Sequence, residues 1–260
     1  WSRLYTISFF IPEDAFTREK KIIEYNFEDH RLDDGGKFNI WLNGDDANYW
    51  STGNPGFKLS KSTALPNEYP TIVEPNGYAG DGITLVTRTT GKFGEMAGMP
   101  IAAGNLFVGS FDVSYALKDA MAATLFGKPF QLRPMRIKFQ AKYKAGEKYK
   151  KLENKKTVEC QGVVDYPDMY AVLYKNTDAK GNSVTLRGDD GKTNPNSVAR
   201  AFLDKTTAQS LSADKWTEIN IPFETLEEID EDLLANRGYN FAIVFTSSFD
   251  GGNFSGAEGS

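Results

Sequence analysis

The chain has very few of the residues on which metal-based and nucleophilic catalysis most often depend. Its 260 residues include one cysteine, Cys160, and one histidine, His30. A single thiol cannot form an internal disulfide, and zinc sites built from three histidines or several cysteines are excluded. No G-x-S-x-G motif accompanies His30, so a Ser-His-Asp relay is not indicated. We expect His30 to be a surface residue.

Long apolar runs and a basic excess are also lacking. No stretch of 18 apolar residues occurs, so no transmembrane helix is predicted. The formal net charge is -5, from 35 acidic and 30 basic residues, whereas a nucleic-acid-binding protein needs a basic face. Neither glycine-rich run, GNLFVG nor GGNFSG, has the lysine of a phosphate-binding loop. The chain opens at Trp1, which we interpret as a processed or trimmed product, so the lack of a visible signal peptide carries no weight.

What is present is a globular, aromatic-rich composition, 40% apolar and 13% aromatic. The most informative stretch runs from Pro100 to Gly146. In its second half, Met135, Ile137, Phe139 and Ala141 alternate with cationic and amide side chains. A period of two with one wet face indicates a strand of an antiparallel sheet. A first strand, around residues 104–111, is expected to face it.

The remaining pattern predicts one large all-β domain of about eight to ten strands. Strands are expected at residues 22–27, 83–88, 169–174, 198–203, 216–223 and 239–248, and one or two short helices at residues 115–126 and 227–236. Long connections between strands favour a jelly-roll β-sandwich over an up-and-down barrel.

Candidate ligand-binding residues lie where flat rings neighbour amide and carboxylate side chains, because sugar C–H faces stack on rings and hydroxyls need hydrogen-bond partners. The candidates are Trp41, Tyr49, Trp50, Asn54, Tyr69 and Tyr78 in the loop-rich region 33–82, and Tyr166 and Tyr170 in a second patch. For each tryptophan the alternative is a core position beneath a long loop.

Paired carboxylates are the one catalytic chemistry that the composition permits. A glycosidase needs two acids about 5–10 Å apart on either side of the scissile bond. The candidates near aromatic residues are Glu68, Asp165, Asp168 and Asp250. With 35 acidic residues in the chain, pairs also arise by chance, so no catalytic residue is assigned.

Several stretches together resemble one family. They are NFED at 26–29, YWSTGNPG at 49–56, NEYPT at 67–71, PIAAGNLFVGSF at 100–111, FGKPFQLRP at 126–134, AKYKAG at 141–146, MYAVLY at 169–174 and YNFAIVFTSSFDGGNFSGAEGS at 239–260. Their order and combination resemble the PCMD family, the "putative carbohydrate metabolism domain". The resemblance covers roughly residues 22–260.

The resemblance implies a jelly-roll sandwich like that of carbohydrate-binding modules and galactose-binding-like domains. It also implies export to the surface of glycan-degrading gut bacteria, as a secreted protein or outer-membrane lipoprotein, with an immunoglobulin-like domain upstream. Residues 1–21 are then the tail of an upstream module or a linker strand. Family members usually continue into a final strand that is missing here.

Jelly-roll carbohydrate modules often hold a structural calcium ion between their first and last strands. By that analogy Glu28 and Asp29, at the end of the first strand of the domain, are candidate ligands. No other cofactor is expected.

Three functions remain open. The first is non-catalytic binding of an oligo- or polysaccharide. The second is glycoside hydrolysis by a carboxylate pair, and the third is a structural or adhesion module that binds no sugar.

Overall fold

The computed structural model describes residues 2–13, 19–154, 156–188 and 190–260. The strands are β1 (Ser2–Glu13), β2 (Glu19–Tyr25), β3 (His30–Leu32), β4 (Asn39–Trp41), β5 (Trp50–Ser51), β6 (Thr71–Glu74), β7 (Gly82–Leu85), β8 (Arg88–Thr89), β9 (Ile101–Ala102), β10 (Asn105–Phe111), β11 (Thr124–Phe126), β12 (Lys128–Phe130), β13 (Arg136–Lys142), β14 (Tyr149–Glu153), β15 (Lys156–Glu159), β16 (Asp168–Lys175), β17 (Ser197–Phe202), β18 (Thr217–Pro222), β19 (Glu224–Thr225), β20 (Tyr239–Thr246) and β21 (Gly256–Ala257). The helices are α1 (Asn54–Ser60), α2 (Gly91–Met96), α3 (Lys205–Ser210) and α4 (Glu231–Ala235), with 3-10 turns at Pro66–Glu68, Asp190–Lys192 and Gly251–Asn253.

Two antiparallel sheets form the body of the fold. The smaller has the order β18-β13-β1-β7-β6, with β2 also paired to β1. The larger has the order β11-β10-β20-β16-β17-β19, with β12 on β20 and β5 on β10. This arrangement confirms the predicted all-β sandwich.

Strand β13 shows why the two sheets pack together. Its burial alternates along its length, with Ile137, Phe139 and Ala141 buried. Phe139 meets Phe245 of the larger sheet edge-to-face, with ring centroids 5.3 Å apart. Met135, predicted on the same apolar face, instead precedes the strand and is 44% exposed. The alternation of buried and partly exposed side chains therefore begins with the paired residues of β13, where hydrogen bonds to neighbouring strands fix the pleat.

The central strands β16 and β20 of the larger sheet are buried on both faces, which explains their uninterrupted apolar runs. In β16, Met169, Ala171 and Leu173 join the core between the sheets. The alternate residues Tyr170 and Val172 join a second cluster on the outer face. That outer face is therefore covered by loops, and these loops shape the candidate site.

Two sequence-based expectations about secondary structure need correction. Residues 115–126 form consecutive turns followed by β11, not a helix. Asp112 and Asp119 accept hydrogen bonds from nearby backbone N–H groups, those of Ser114 and Ala122, and such side-chain bonds compete with a continuous helix. The strands also outnumber the prediction, because many have only two to four residues.

The N-terminal strand β1 pairs with β13, β2 and β7. It is thus a strand of the smaller sheet. That residues 1–21 come from an upstream module or linker stays a prediction. The expected lack of a final strand also stays a prediction. Among the residues described, no helix has the length and apolar character needed to cross a membrane.

Candidate functional site

A cavity of about 330 Å³ opens on the outer face of the larger sheet. Its floor is formed by the buried side chains of Phe107, Phe126, Tyr170 and Val244. Its walls include the segment from α2 to β9, the turns of residues 112–123, and the loop of residues 248–254, with further residues from α1 and the turn at Lys192. A volume of this size lies within the range of small-ligand sites.

Three charged residues line the cavity within the described part of the chain: Asp168, Lys192 and Asp250. The Lys192 ammonium lies 2.5 Å from Asp168 Oδ2. It also lies 5.4 Å from the centre of the Tyr170 ring. These contacts place one paired carboxylate and one ring side by side at the start of β16.

The second carboxylate belongs to the loop that follows β20. Asp250 Oδ1 accepts a hydrogen bond of 2.6 Å from the side-chain amide of Asn253. The preceding residue, Phe249, stacks almost parallel on Tyr166, with centroids 4.4 Å apart, and on Tyr149 at 5.3 Å. The stack fixes the root of the loop and so fixes the position of Asp250 in the cavity wall.

Asp165 anchors the same loop from beneath. This buried carboxylate accepts hydrogen bonds from Ser248 Oγ at 2.8 Å and the Tyr166 amide at 3.0 Å. It also accepts one from the Ala257 amide at 2.8 Å. Burial raises the pKa of Asp165, outweighing these hydrogen bonds, which lower it. Because Ser248 and Ala257 flank the loop, Asp165 ties its two ends together.

Of the four candidate acids, the structure brings two to the cavity. Asp168 and Asp250 line it, whereas Asp165 lies outside its lining as a structural anchor. Glu68 is exposed and its carboxylate accepts a hydrogen bond of 2.7 Å from the Leu65 amide, capping its own 3-10 turn. Asp165 and Glu68, two of the candidate acids, thus make structural contacts outside the described lining of the cavity.

Three of the candidate rings are core residues rather than sugar platforms. Trp41, Trp50 and Tyr69 are 1%, 3% and 0% exposed. Trp50 packs edge-to-face against Tyr25 at 5.1 Å and Phe27 at 5.2 Å. A ring enclosed in this way presents no face to a saccharide, so their assignment as ligand-binding residues is wrong.

Asn54 and Tyr49 are likewise committed to internal contacts. The fully buried Asn54 amide bridges α1 to β6, donating to the Thr71 carbonyl at 2.7 Å and accepting from its amide at 3.1 Å. The Tyr49 hydroxyl lies 2.6 Å from that of Tyr25. Asn54 is therefore corrected to a structural residue, since its side chain has no surface left for a ligand.

The other three predicted rings differ in exposure, and Tyr170 is only 6% exposed. Tyr78 is 53% exposed and meets Trp216 edge-to-face at 6.2 Å, away from the described lining of the cavity. Tyr170 lies on the cavity floor, and Tyr166 supports the wall through its stack on Phe249. A ligand-binding role for these three stays a prediction.

The two expected calcium ligands, Glu28 and Asp29, both accept hydrogen bonds within the protein. Glu28 Oε1 accepts a hydrogen bond of 2.8 Å from the Asp81 amide. The Asp29 carbonyl accepts one from the Leu42 amide. Within the described ranges, no group of three acidic, histidine or cysteine side chains converges on one point. Calcium binding at these two residues stays a prediction.

Sequence reasoning missed several residues of the cavity. Phe249 and Asn253 flank the glycine pair of the FDGGNF segment, and aromatic residues beside a flexible turn would have been a usable signal. Lys192 and Phe107 gave no such signal. Lys192 lies in a polar loop like many others, and Phe107 faces outward in a strand whose neighbours all read as core.

By its architecture the chain is an all-β sandwich with a cavity on the outside of its larger sheet. A family model described as "Putative carbohydrate metabolism domain" matches residues 26–260, and the chain belongs to this family. The resemblance expected from the sequence motifs is thereby confirmed, and the domain is related to carbohydrate metabolism. No curated protein matches the chain.

Two solved structures are similar over most of the chain, and both are named putative glycoside hydrolases. One, from Bacteroides thetaiotaomicron, has a TM-score of 0.80 and 38% identity over 92% of this chain and 71% of its own. The other, from Bacteroides vulgatus, has a TM-score of 0.77 and 36% identity over 90% of this chain and 92% of its own.

Proposed function

We propose that the domain binds a glycan in the cavity on the outer face of the larger sheet, without cleaving it. The observation that supports this most is the meeting of two carboxylates, Asp168 and Asp250, with the rings of Tyr170 and Phe249 around one cavity. Aromatic side chains supply apolar contact area, and charged groups supply strong hydrogen bonds to sugar hydroxyls. Asp168 is engaged by Lys192, which suits a positioning role.

Binding is tested with a glycan array, followed by calorimetry on the glycans that bind. We expect Asp250→Asn to weaken the affinity about tenfold, since a charged hydrogen bond is replaced by a neutral one. Because Asn keeps the shape of Asp and an acceptor for Asn253, the fold should be retained. Asp214→Asn, at an exposed position outside the described lining, is the matched control and should bind as the unmodified chain does. Equal affinity for both variants would contradict a role for Asp250.

A second candidate function is glycoside hydrolysis. Two acids line the same cavity, and both similar structures are named putative glycoside hydrolases. A hydrolase with this site would use Asp168 and Asp250 as its carboxylate pair. Release of reducing sugar from a bound glycan, abolished by Asp168→Asn and by Asp250→Asn alike, would establish this function in place of simple binding.

We further propose that the protein acts outside the cytoplasm, at the cell surface or in the periplasm, where polysaccharides are met. The proposal is supported by the family resemblance and by the Bacteroides origin of the two similar structures. Fractionation of cells that express the full-length protein, with surface labelling, tests it. Recovery in the cytosolic fraction alone would contradict it.

A further inference from the structure

We propose that the ligand is amphiphilic: a saccharide that carries an apolar substituent, such as an aryl aglycone or an aromatic or acyl ester, with the apolar group seated on the floor of the cavity. This inference rests on the proposed function and names the class of glycan.

The first observation is the chemistry of the cavity interior. Phe107, Phe126 and Ile101 are at most 4% exposed and line it. Phe111 at the end of β10 and Leu117 and Met121 in the turns beside it complete this surface. A continuous apolar lining gains free energy by contact with an apolar group, in proportion to the area removed from water.

The second observation concerns the buried polar side chains of the lining, which are already bonded within the protein. Thr71 Oγ1 donates to the Asn105 carbonyl at 2.7 Å. Thr90 Oγ1 donates to the Met99 carbonyl at 2.6 Å. Ser248 Oγ lies 2.8 Å from Asp165 Oδ1, to which it donates. Their hydroxyl hydrogens are therefore committed to the protein and not to a ligand.

These two observations together disfavour an unsubstituted sugar on the floor. Each hydroxyl that leaves water without a new partner costs about 1–3 kcal/mol. A hexose carries several hydroxyls, so the loss would exceed the gain from its C–H faces. An aromatic or acyl group suffers no such loss, because it has few hydrogen bonds with water to give up.

The third observation is that the partly exposed polar groups lie in the same cavity. Asp250 and Asn253 belong to one wall, and Asp168 and Lys192 to the floor and another wall. They supply the charged and amide groups that sugar hydroxyls need. One cavity thus offers polar contacts to a saccharide and an apolar surface to its substituent.

The test compares methyl and phenyl glycosides of each monosaccharide recognised on the array, by calorimetry with the intact chain. We expect the phenyl glycoside to bind at least about tenfold more tightly than the methyl glycoside of the same sugar. Two variants remove this preference. Ala120→Trp fills the cavity from the turns at residues 112–123, and Leu117→Gln places an amide at an exposed point of the same wall. In both variants, the phenyl glycoside should bind no more than about threefold more tightly than the methyl glycoside.

Ala122→Trp is the matched control, because Ala122 lies two residues further along and outside the described lining of the cavity. It should keep the tenfold preference. If Ala120→Trp does not fold, Leu117→Gln still decides the point.

Equal affinities for the methyl and phenyl glycosides would overturn the inference and leave the proposed function standing. Failure of every glycan and glycoside to bind would overturn the proposed function, and the inference with it. Binding of phenol alone as tightly as the phenyl glycoside would also overturn both, since the sugar would then contribute nothing.

Discussion

Trp50→Ala is expected to destabilise the domain by about 3–5 kcal/mol, the range for removing a buried tryptophan. Trp50 is 3% exposed and packs against Tyr25, Phe27 and Tyr49. The truncation would leave a void beneath β5 that surrounding side chains cannot fill without moving. Urea unfolding followed by circular dichroism measures the change in free energy.

Two matched variants locate the source of that loss. Trp50→Phe keeps a ring in the core and should cost markedly less than Trp50→Ala. Tyr78→Ala removes an aromatic residue that is 53% exposed and should change the free energy of unfolding by less than about 1 kcal/mol. An unchanged unfolding midpoint for Trp50→Ala, with weakened glycan binding, would restore Trp50 as a sugar-binding residue.

Asp165→Ala is expected to cost about 3 kcal/mol. The substitution leaves the amides of Tyr166 and Ala257 without their acceptor in the protein interior, and each such loss costs about 1–3 kcal/mol, partly offset because a buried charge is also removed. Asp34→Ala is the matched control: Asp34 is 97% exposed and pairs with Arg31 at the surface, so about 0.5 kcal/mol or less is expected. Similar losses for both variants would argue against an anchoring role.

The pH dependence of the free energy of unfolding gives a second test of the buried position of Asp165. Burial raises its pKa above the ordinary 3.8, so the folded protein holds this proton more tightly than the unfolded chain does. The stabilisation is fully present below the unfolded pKa and is lost as the pH rises through the folded pKa. Asp165→Asn carries no titrating group there. Relative to the unmodified chain, it should gain stability as the pH rises through this window.

Unfolding of the unmodified chain and Asp165→Asn in urea at a series of pH values checks this sign. A difference in free energy that stays constant across the window would contradict it. Loss of the anchor should also release the loop that carries Asp250, because Ser248 and Ala257 are held by Asp165 on either side of it.

The strands were the part of the fold most open to prediction. Alternation in β13 and the apolar runs of β16 and β20 identified them, since a pleated strand places successive side chains on opposite faces. The helix expected at residues 115–126 did not form, although its apolar residues had the right spacing. Leu117 and Met121 line the cavity instead, because local side-chain bonds favoured turns.

The aromatic residues of the loop-rich region were harder to place. From sequence alone, a tryptophan among asparagines is equally consistent with an exposed sugar-binding ring and with a core position beneath a loop. Trp41 and Trp50 proved to belong to the main hydrophobic core, since they lie in the short strands β4 and β5 rather than in exposed loops. For the acids, Asp168 and Asp250 are 82 positions apart by their numbers, and nothing in their local patterns indicated a shared cavity.

By itself, then, the sequence determined the class of fold, the main strands and the family, because alternation and local motifs are properties of neighbouring residues. Only the tertiary structure decided which rings are buried, that Asp165 is an anchor, and that Asp168 and Asp250 line one cavity. Those are properties of distant segments, and they depend on how β16, β20 and the loops over the larger sheet pack against one another.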